Sequence, residues 1–364
     1  MSNLTRPSWT TTVPVGALGV LAVTWGREDL SPVVVAAVAL VLAGAVLAAV
    51  DHAEVVAHRV GEPFGSLLLA VAVTVIEVAL IVTLMASGGE GTESLARDTV
   101  FAAVMITVNG IGGLSLVIGA LRFGMARFNA EGTGAALATV ATLATVCLVL
   151  PTFTTSATGP EFSTSQLVFA GVISVALYVM FLVTQTIRHR EFFLPADDDL
   201  HVDPQMAAAD VPDNRTTGIS AVLLLVGLVG VVGLAKVESG PIEDAVESAG
   251  LPQSFVGVII ALLVLLPETI AAVRHALRNR VQFSLNLAYG SAMASIGLTI
   301  PAIGIASAWL DGPLVLGLGP TQVVLLALTV VVTTLTIVPG QATRLHGAVH
   351  LVLLACFVFL ATNP

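Results

Sequence analysis

The chain has 364 residues, of which 56% are hydrophobic and only 10% are charged, and its mean hydropathy is +0.98. An ordinary soluble domain carries about 25% charged residues, so this composition excludes that class and indicates a membrane protein. The formal net charge of −10 disfavours nucleic acid as a partner. The two cysteines, Cys147 and Cys356, lie inside apolar stretches and predict neither a disulfide framework nor a metal site, and no cofactor is expected.

Hydropathy predicts eleven membrane-spanning segments. Most exceed the roughly 18 to 20 residues needed to cross the hydrocarbon, and the first is the shortest. Because runs this long and uniformly apolar lack the alternation of a membrane barrel, we expect helices and therefore an all-α membrane protein. The approximate limits are 11–26, 32–50, 64–87, 99–121, 134–152, 165–187, 217–237, 252–274, 282–308, 320–339 and 345–362.

Basic residues predict the orientation of these spans. With a cytoplasmic amino terminus, eleven of the fourteen basic residues fall on the cytoplasmic side, and only Arg27, Arg97 and Lys236 fall on the other. Because positive charges concentrate in cytoplasmic loops, this asymmetry supports that orientation. An odd number of spans then places the carboxyl terminus outside.

A polar loop suggests how the spans are grouped. Residues 188–216 are predicted to form a cytoplasmic loop with an acidic cluster, Asp197–Asp199. This loop separates an N-terminal segment with the first span (1–31) and a five-span repeat A (32–187) from a five-span repeat B (217–364). Five is odd, so repeat B runs with the opposite orientation to repeat A. Inverted repeats of this kind place a transport site near the bilayer midplane, at the repeat interface.

One glutamate lies alone in an apolar span of each repeat. Glu77 comes thirteen positions after Phe64, and Glu268 comes thirteen positions after Phe255. A carboxylate at the middle of a membrane span costs on the order of 2.5–3.5 kcal/mol even on lenient insertion scales. The pair therefore predicts a transporter whose central site contains Glu77 and Glu268.

Small and polar residues concentrate near both glutamates. The span after Glu77 reads ITVNGIGGLSLVIGALRF, and the span after Glu268 reads NLAYGSAMASIGLTIPAIG. Glycines loosen a helix, and Pro267 removes a backbone donor and favours a local break. We expect neutral oxygens that bind the ion or orient the carboxylates, with hydrogen bonding between helices as the equal alternative. These candidates are Thr74, Asn109, Ser291 and Ser295.

Two stretches resemble a known family. GEPFGSLLLAVAVTVIEVALI, starting at Gly61, resembles the first signature repeat of cation/proton exchangers in the calcium/cation antiporter superfamily. LLPETIAAVRHALRNRVQFSLNLAYGSAMASIGLTIPAI, starting at Leu265, resembles the second. The similarity covers essentially the whole chain and is greatest to the bacterial ChaA-type branch, the calcium(sodium, potassium)/proton antiporters.

The resemblance implies that Glu77 and Glu268 bind both the transported cation and protons. It implies exchange of cytoplasmic Ca²⁺ for external protons by alternating access, in the cytoplasmic (inner) membrane of a bacterium, with the oligomeric state left open. The chain departs from the family's Gly-Asn-Ala-(Thr or Ala)-Glu motif, because Val73 and Thr74 stand at the first Gly-Asn. These departures weaken the assignment of Ca²⁺ relative to the assignment of cation/proton antiport, so Na⁺/H⁺ or K⁺/H⁺ exchange is the alternative.

Other functions and groups carry less weight. A cation channel is disfavoured because channels more naturally repeat one subunit around a pore, and an enzyme is disfavoured because no nucleophile/base or His-Glu-x-x-His spacing occurs. His52, Glu54 and Glu62 are candidates for a cytoplasmic proton path, although a solvated interfacial face is the favoured interpretation of these groups. His275, His346 and His350 lie near span ends and are candidates for a pH sensor, and nothing in the sequence selects one of them.

Overall fold

The structure is a computed structural model that describes residues 9–27, 30–61, 64–88, 91–195, 212–310 and 312–363. Most of these residues are helical. The α-helices are α1 (Trp9–Thr24), α2 (Pro32–Val60), α3 (Phe64–Ser87), α4 (Leu95–Met105), α5 (Gly113–Phe123), α6 (Ala130–Ala144), α7 (Leu150–Phe153), α8 (Thr164–Val183), α9 (Asn214–Ser248), α10 (Phe255–Val264), α11 (Leu266–Leu277), α12 (Val281–Ala294), α13 (Ile300–Ala306), α14 (Pro320–Ile337) and α15 (Arg344–Thr362).

Short segments of other geometry connect or interrupt these helices. One 3₁₀ turn precedes α4, and another lies after α8. Two short strands pair antiparallel, with Ala126 opposite Ala342. Four segments are π-helical and continue directly from an α-helix. These elements are the 3₁₀ turns Thr92–Ser94 and Arg190–Phe193, the strands β1 (Ala126–Arg127) and β2 (Gln341–Ala342), and the π-segments π1 (Ile106–Gly112), π2 (Thr145–Val149), π3 (Thr184–Arg188) and π4 (Ser295–Thr299).

The predicted all-α membrane fold is confirmed, whereas the count of eleven spans is not. Within the described residues, nine helical stretches are long and apolar enough to cross a membrane, and α10 with α11 makes a tenth if the bent pair is one span. The first helix, α1, has only 16 residues. At about 1.5 Å per residue it is about 24 Å long, which is shorter than the roughly 30 Å hydrocarbon core.

The helix α9 is longer than hydropathy predicts. Its 35 residues continue to Ser248, eleven positions beyond the predicted limit at residue 237. Hydropathy ends the span where Glu238 and other acidic residues begin, but glutamate is a good helix former and does not stop the helix. At its start, hydrogen bonds from Thr216 lower the pKa of the exposed Asp213 carboxyl, first through the threonine side chain and then through its backbone N–H.

The span that carries Glu268 is broken at the predicted position. The helix α10 ends at Val264, α11 begins at Leu266, and their axes differ by 54°. Pro267 lies in the first turn of α11, where its missing N–H costs nothing because the first N–H groups of a helix have no partner within it. The bend therefore follows from the proline that precedes Glu268.

Both spans that follow a glutamate span contain a π-segment. The first, π1, lies between α4 and α5 and includes Gly110 and Gly112; the second, π4, lies between α12 and α13 and includes Gly297. In a π-turn the backbone hydrogen bond joins residues five apart rather than four apart, and such turns often lie at functional positions. The expected loosening of these spans is confirmed, and it takes the form of π geometry.

The chain forms two compact units. Of the described residues, those within 1–92 and 204–253 form unit 1, and those within 93–203 and 254–364 form unit 2. Unit 1 therefore holds α1, α2, α3 and α9, and the remaining helices belong to unit 2. Each unit contains helices from both predicted repeats, and the repeat limits 32–187 and 217–364 stay a prediction.

In unit 1, a buried histidine joins three helices. His52 of α2 is 5% exposed, its Nε2 lies 2.9 Å from the carbonyl oxygen of Thr10, and its Nδ1 lies 3.3 Å from the hydroxyl of Ser220. A carbonyl only accepts hydrogen bonds, so Nε2 carries the proton. At the cytoplasmic end predicted from the sequence, Arg59 donates to the side-chain oxygen of Asn214 at 2.6 Å.

In unit 2, a charged cluster lies at the start of α4. The buried Asp98 accepts two hydrogen bonds from Arg97, at 2.8 and 3.1 Å, one from Ser94 at 2.9 Å and one from Gln322 at 3.3 Å. Next to this cluster α4 lies directly against α10, and Gly257 is the residue at the contact. The aspartate is fully paired, as a buried charge requires.

We predict that Gly257→Ala destabilises the protein. The added Cβ would lie 2.7 Å from the backbone nitrogen of Thr99 and 2.9 Å from the carbonyl carbon of Asp98, so α10 must move away from α4. The expected loss is about 1–3 kcal/mol, typical of overpacking, and it is measured by thermal unfolding of the purified protein in detergent.

Gly134→Ala in α6 is the matched control. Its added Cβ would meet a methyl carbon of Ile337 at 3.9 Å, an ordinary contact. Because alanine is favoured over glycine in a helix by about 0.5–1 kcal/mol, this variant is expected to be as stable as the parent or more so. Equal melting temperatures for the two variants would contradict the close packing of α4 and α10.

Candidate functional site

The first predicted site residue, Glu77, lies in α3 of unit 1. Its side chain is 4% exposed, and Thr74, one turn earlier, is 7% exposed. Residues three apart lie on the same face of a helix, so the carboxylate and the hydroxyl share one face of α3. This face carries polar groups in a helix that is otherwise apolar.

The second glutamate lies in unit 2, directly after the break. Glu268 is the third residue of α11 and is 8% exposed. The first N–H groups of a helix carry a partial positive charge, which stabilises an anionic side chain in the first turn. The break at Leu265 thus supplies Glu268 with a favourable helix terminus inside an apolar region.

The side-chain amide of Asn109, the third predicted residue, is hydrogen-bonded to neighbouring helices of unit 2. The side chain is fully buried in π1, its Nδ2 donates to Thr329 of α14 at 2.9 Å, and its Oδ1 lies 2.9 Å from Nδ1 of His350 in α15. These contacts correspond to the alternative of hydrogen bonding between helices. One lone pair of Oδ1 remains for another donor or a cation.

The two predicted serines lie together in unit 2. Ser291 is partly exposed in α12, and Ser295 is 4% exposed at the first position of π4. Their spacing of four residues places both hydroxyls on similar faces of the span. The serines are therefore arranged as Thr74 and Glu77 are, one helical turn apart.

Unit 2 brings three of the elements that carry these residues into contact. Ile111 of π1, Ala272 of α11 and Ala288 of α12 form one buried cluster. Ala272 is one turn after Glu268, and the hydroxyl of Ser284 donates to its carbonyl oxygen at 2.7 Å. The segment with Asn109, the helix with Glu268 and the helix with Ser291 therefore pack on one another.

The predicted proton path is only partly described. His52 is buried with both ring nitrogens in hydrogen-bond contact, as described for unit 1, and Glu54 is exposed. Glu62 and the Asp197–Asp199 cluster lie outside the described residues. The path stays a prediction.

Sequence reasoning missed the threonines of α14. Thr329, Thr333 and Thr336 are each at most 3% exposed, and their spacing of four and three residues places them on one face of the helix. This buried polar stripe in an apolar span was visible in the sequence. Thr329 contacts Asn109, and Thr336 lies 3.3 Å from Nε2 of His350.

Known proteins resemble this chain along nearly its whole length. A Sinorhizobium fredii protein, y4hA, whose name assigns it provisionally to ionic transport, is 46% identical over 360 residues, 98% of this chain and 97% of that protein. The sodium-potassium/proton antiporter ChaA of Escherichia coli is 35% identical over 353 residues, 95% of this chain and 93% of ChaA.

A solved structure shows the same fold. Native YfkE matches with a TM-score of 0.72 at 16% identity, over 98% of this chain and 100% of YfkE. The profile of the sodium/calcium exchanger protein family matches residues 30–187 and 219–363. Because this profile matches most of the chain, and a relative is 46% identical over 98% of the chain, the chain belongs to the sodium/calcium exchanger protein family. It is therefore a transporter, not an enzyme.

Proposed function

We propose that this chain is a cation/proton antiporter in which Glu77 and Glu268 bind the cation and the protons in alternation. The observation that carries the proposal is the burial of both carboxyl groups, 4% and 8% exposed, in otherwise apolar spans. An ionised carboxylate in such a place is stable only with a counter-charge, and a protonated one needs none. Each glutamate therefore favours either a bound cation or a bound proton.

Charge balance makes Ca²⁺ the first choice of cation. Two carboxylates with one Ca²⁺ are neutral, and two carboxylic acids are neutral as well, so both loaded states avoid a net charge in the bilayer. Hydroxyl and amide oxygens at Thr74, Asn109, Ser291 and Ser295 are suitable ligands for a hard cation. An inward proton gradient would then drive Ca²⁺ out of the cytoplasm by alternating access.

Sodium or potassium is the second candidate, and the relative ChaA favours it. ChaA is named as a sodium-potassium/proton antiporter and aligns with 95% of this chain. A monovalent cation at two carboxylates reaches neutrality only if one of them keeps its proton. The two candidates therefore differ in the number of protons released for each cation bound.

We expect Glu77→Gln and Glu268→Gln each to abolish exchange. Glutamine neither releases a proton nor neutralises a cation, and removing one partner of a buried charge pair costs about 3–5 kcal/mol, or roughly two to four orders of magnitude in rate. The measurement is cation-induced dissipation of a preset proton gradient in everted membrane vesicles. Glu247→Gln, at an exposed position of α9, is the control and should exchange normally. Full exchange by both site variants would refute the two-glutamate site.

The pH dependence of the apparent KM for the cation separates the two candidates. Protons compete with the cation, so the apparent KM rises as the pH falls below the range in which the site binds protons. If two protons leave for each cation, the apparent KM rises about a hundredfold per pH unit, and if one leaves it rises about tenfold. A panel of Ca²⁺, Na⁺, K⁺, Mg²⁺ and Mn²⁺ in the same vesicles gives the preferred cation and this slope together. A KM independent of pH for every cation would contradict proton exchange.

The proposed orientation places the amino terminus in the cytoplasm and the carboxyl terminus outside, in the inner membrane of a bacterium. The argument is the excess of eleven basic residues over three on the predicted cytoplasmic side. Alkaline phosphatase fused after Asn363 should be active, and green fluorescent protein fused there should be dark. The same two reporters after Gly340, in the predicted cytoplasmic loop before α15, are the control and should give the opposite pattern. Fluorescence at the carboxyl terminus would show an even number of spans or a reversed chain.

A further inference from the structure

A buried histidine in the last helix of unit 2 holds the π-segment that contains Asn109. His350 is 1% exposed, its Nδ1 lies 2.9 Å from the Oδ1 of Asn109, and its Nε2 lies 3.3 Å from the hydroxyl of Thr336. The amide Nδ2 of Asn109 in turn donates to Thr329 at 2.9 Å. This polar network joins π1, α14 and α15.

Hydrogen-bond chemistry fixes the protonation of the ring. The side-chain oxygen of Asn109 only accepts, so Nδ1 of His350 carries the proton and donates it. The Nε2 lone pair then accepts from Thr336 at 3.3 Å, and the single proton of that hydroxyl is shared with the carbonyl oxygen of Val332, to which it donates at 2.9 Å. Both nitrogens of the neutral ring are engaged, so the ring is suited to orient its neighbours.

Close backbone packing keeps the ring in this position. A Cβ on Gly113 would lie 2.8 Å from the Cβ of His350 and 3.1 Å from the carbonyl oxygen of Gly347. A Cβ on Gly347 would lie 2.7 Å from the carbonyl oxygen of Gly113. The absence of these two side chains lets α5 and α15 touch at the histidine and one turn before it, which fixes the backbone from which the ring reaches Asn109.

The contact continues from Asn109 to the helix that bears Glu268. Two residues after Asn109, Ile111 packs against Ala272, which lies one helical turn beyond Glu268. A π-segment is less regular than an α-helix, so its position depends more on contacts with neighbours. The network on one side of π1 therefore determines where its other side meets α11.

We infer that His350 is a positioning residue that, through Asn109 and π1, holds Glu268 in its ion-binding position. This role rests on the proposed antiport function. It requires no contact between His350 and the ion. It also explains why a polar network occupies a region that apolar side chains would fill at lower cost, since hydrogen bonds fix orientation where apolar packing does not.

His350→Leu tests the inference, with His350→Gln as the conservative variant. Leucine removes both hydrogen bonds, and loss of a hydrogen bond of typical strength predicts an apparent KM for the cation about three- to tenfold higher, with the maximal rate unchanged. Glutamine offers a donor and an acceptor and should recover most of the affinity. His350→Leu combined with Asn109→Leu should be no worse than the poorer single variant, because both break the same contact. Fully additive effects, or a parental KM in folded His350→Leu, would overturn the inference.

His346→Gln is the matched control. His346 lies one turn earlier in α15, and its Nδ1 accepts a hydrogen bond from the backbone N–H of Thr343 at 3.1 Å, which caps the helix. Glutamine at this third helical position can make the same cap, so the KM should stay at the parental value.

If His350→Leu fails to fold, Thr336→Val provides a second test, because it removes only the hydrogen bond to Nε2 of His350. This variant must also raise the apparent KM, and an unchanged KM would overturn the inference.

Two further readouts separate this role from others. The slope of the apparent KM against pH should be the same in His350→Leu as in the parent, and a smaller slope would show that His350 itself carries an exchanged proton. Hydrogen exchange of residues 106–112 should be faster in His350→Leu than in the parent and in His346→Gln. Hydrogen exchange does not depend on transport activity. A parent protein that lacks antiport activity would therefore refute the proposed function, and the hydrogen-exchange comparison would still test the network around His350.

Discussion

A carboxyl group inside a bilayer needs either a proton or a counter-charge, and this constraint governs the candidate site. Glu77 and Glu268 are the buried carboxyl groups of two otherwise apolar spans, each with hydroxyl or amide groups on the same element or on one packed against it. Desolvation disfavours the ionised form, and a cation restores it. In the proposed function, selectivity between proton and cation then arises from the surroundings of these two side chains.

Irregular backbone occurs in the spans that hold Asn109, Glu268 and Ser295. A break in a transmembrane helix releases N–H and C=O groups that lipid cannot satisfy, so such breaks occur where protein or a water-filled cavity surrounds them. The span with π1 fits this rule, since 83% of its most apolar window is buried, against 22% for the regular helix α15. The bend between α10 and α11 directly precedes Glu268. The π1 segment, the bend before Glu268 and π4 thus hold candidate residues, whereas π2 and π3 interrupt spans whose most apolar windows are 44% and 28% buried and hold none.

Much of this arrangement could be predicted from local sequence. Three kinds of local signal were present. A lone glutamate in about twenty apolar residues corresponds to a buried carboxyl group, the proline directly before Glu268 corresponds to the bend, and the glycines of the following spans correspond to π-segments. The partners of Asn109 were not predictable in this way. Its contacts with Thr329 and His350 join positions 220 and 241 residues away, and only the packing of α14 and α15 brings them together. Hydropathy likewise misplaced the end of α9, because it measures polarity and not helix propensity.

The two units each contain a buried histidine with a similar arrangement. His52 joins α1, α2 and α9 in unit 1, and His350 joins π1, α14 and α15 in unit 2. In both, one ring nitrogen donates to an oxygen that can only accept, so the neutral ring has a single fixed tautomer. A proton carrier needs a nitrogen that can exchange its proton with water or with a neighbouring acid, and here both nitrogens are engaged in cross-links between helices. This favours structural roles for the two histidines. The proposed function accordingly assigns the exchanged protons to the carboxyl groups of Glu77 and Glu268.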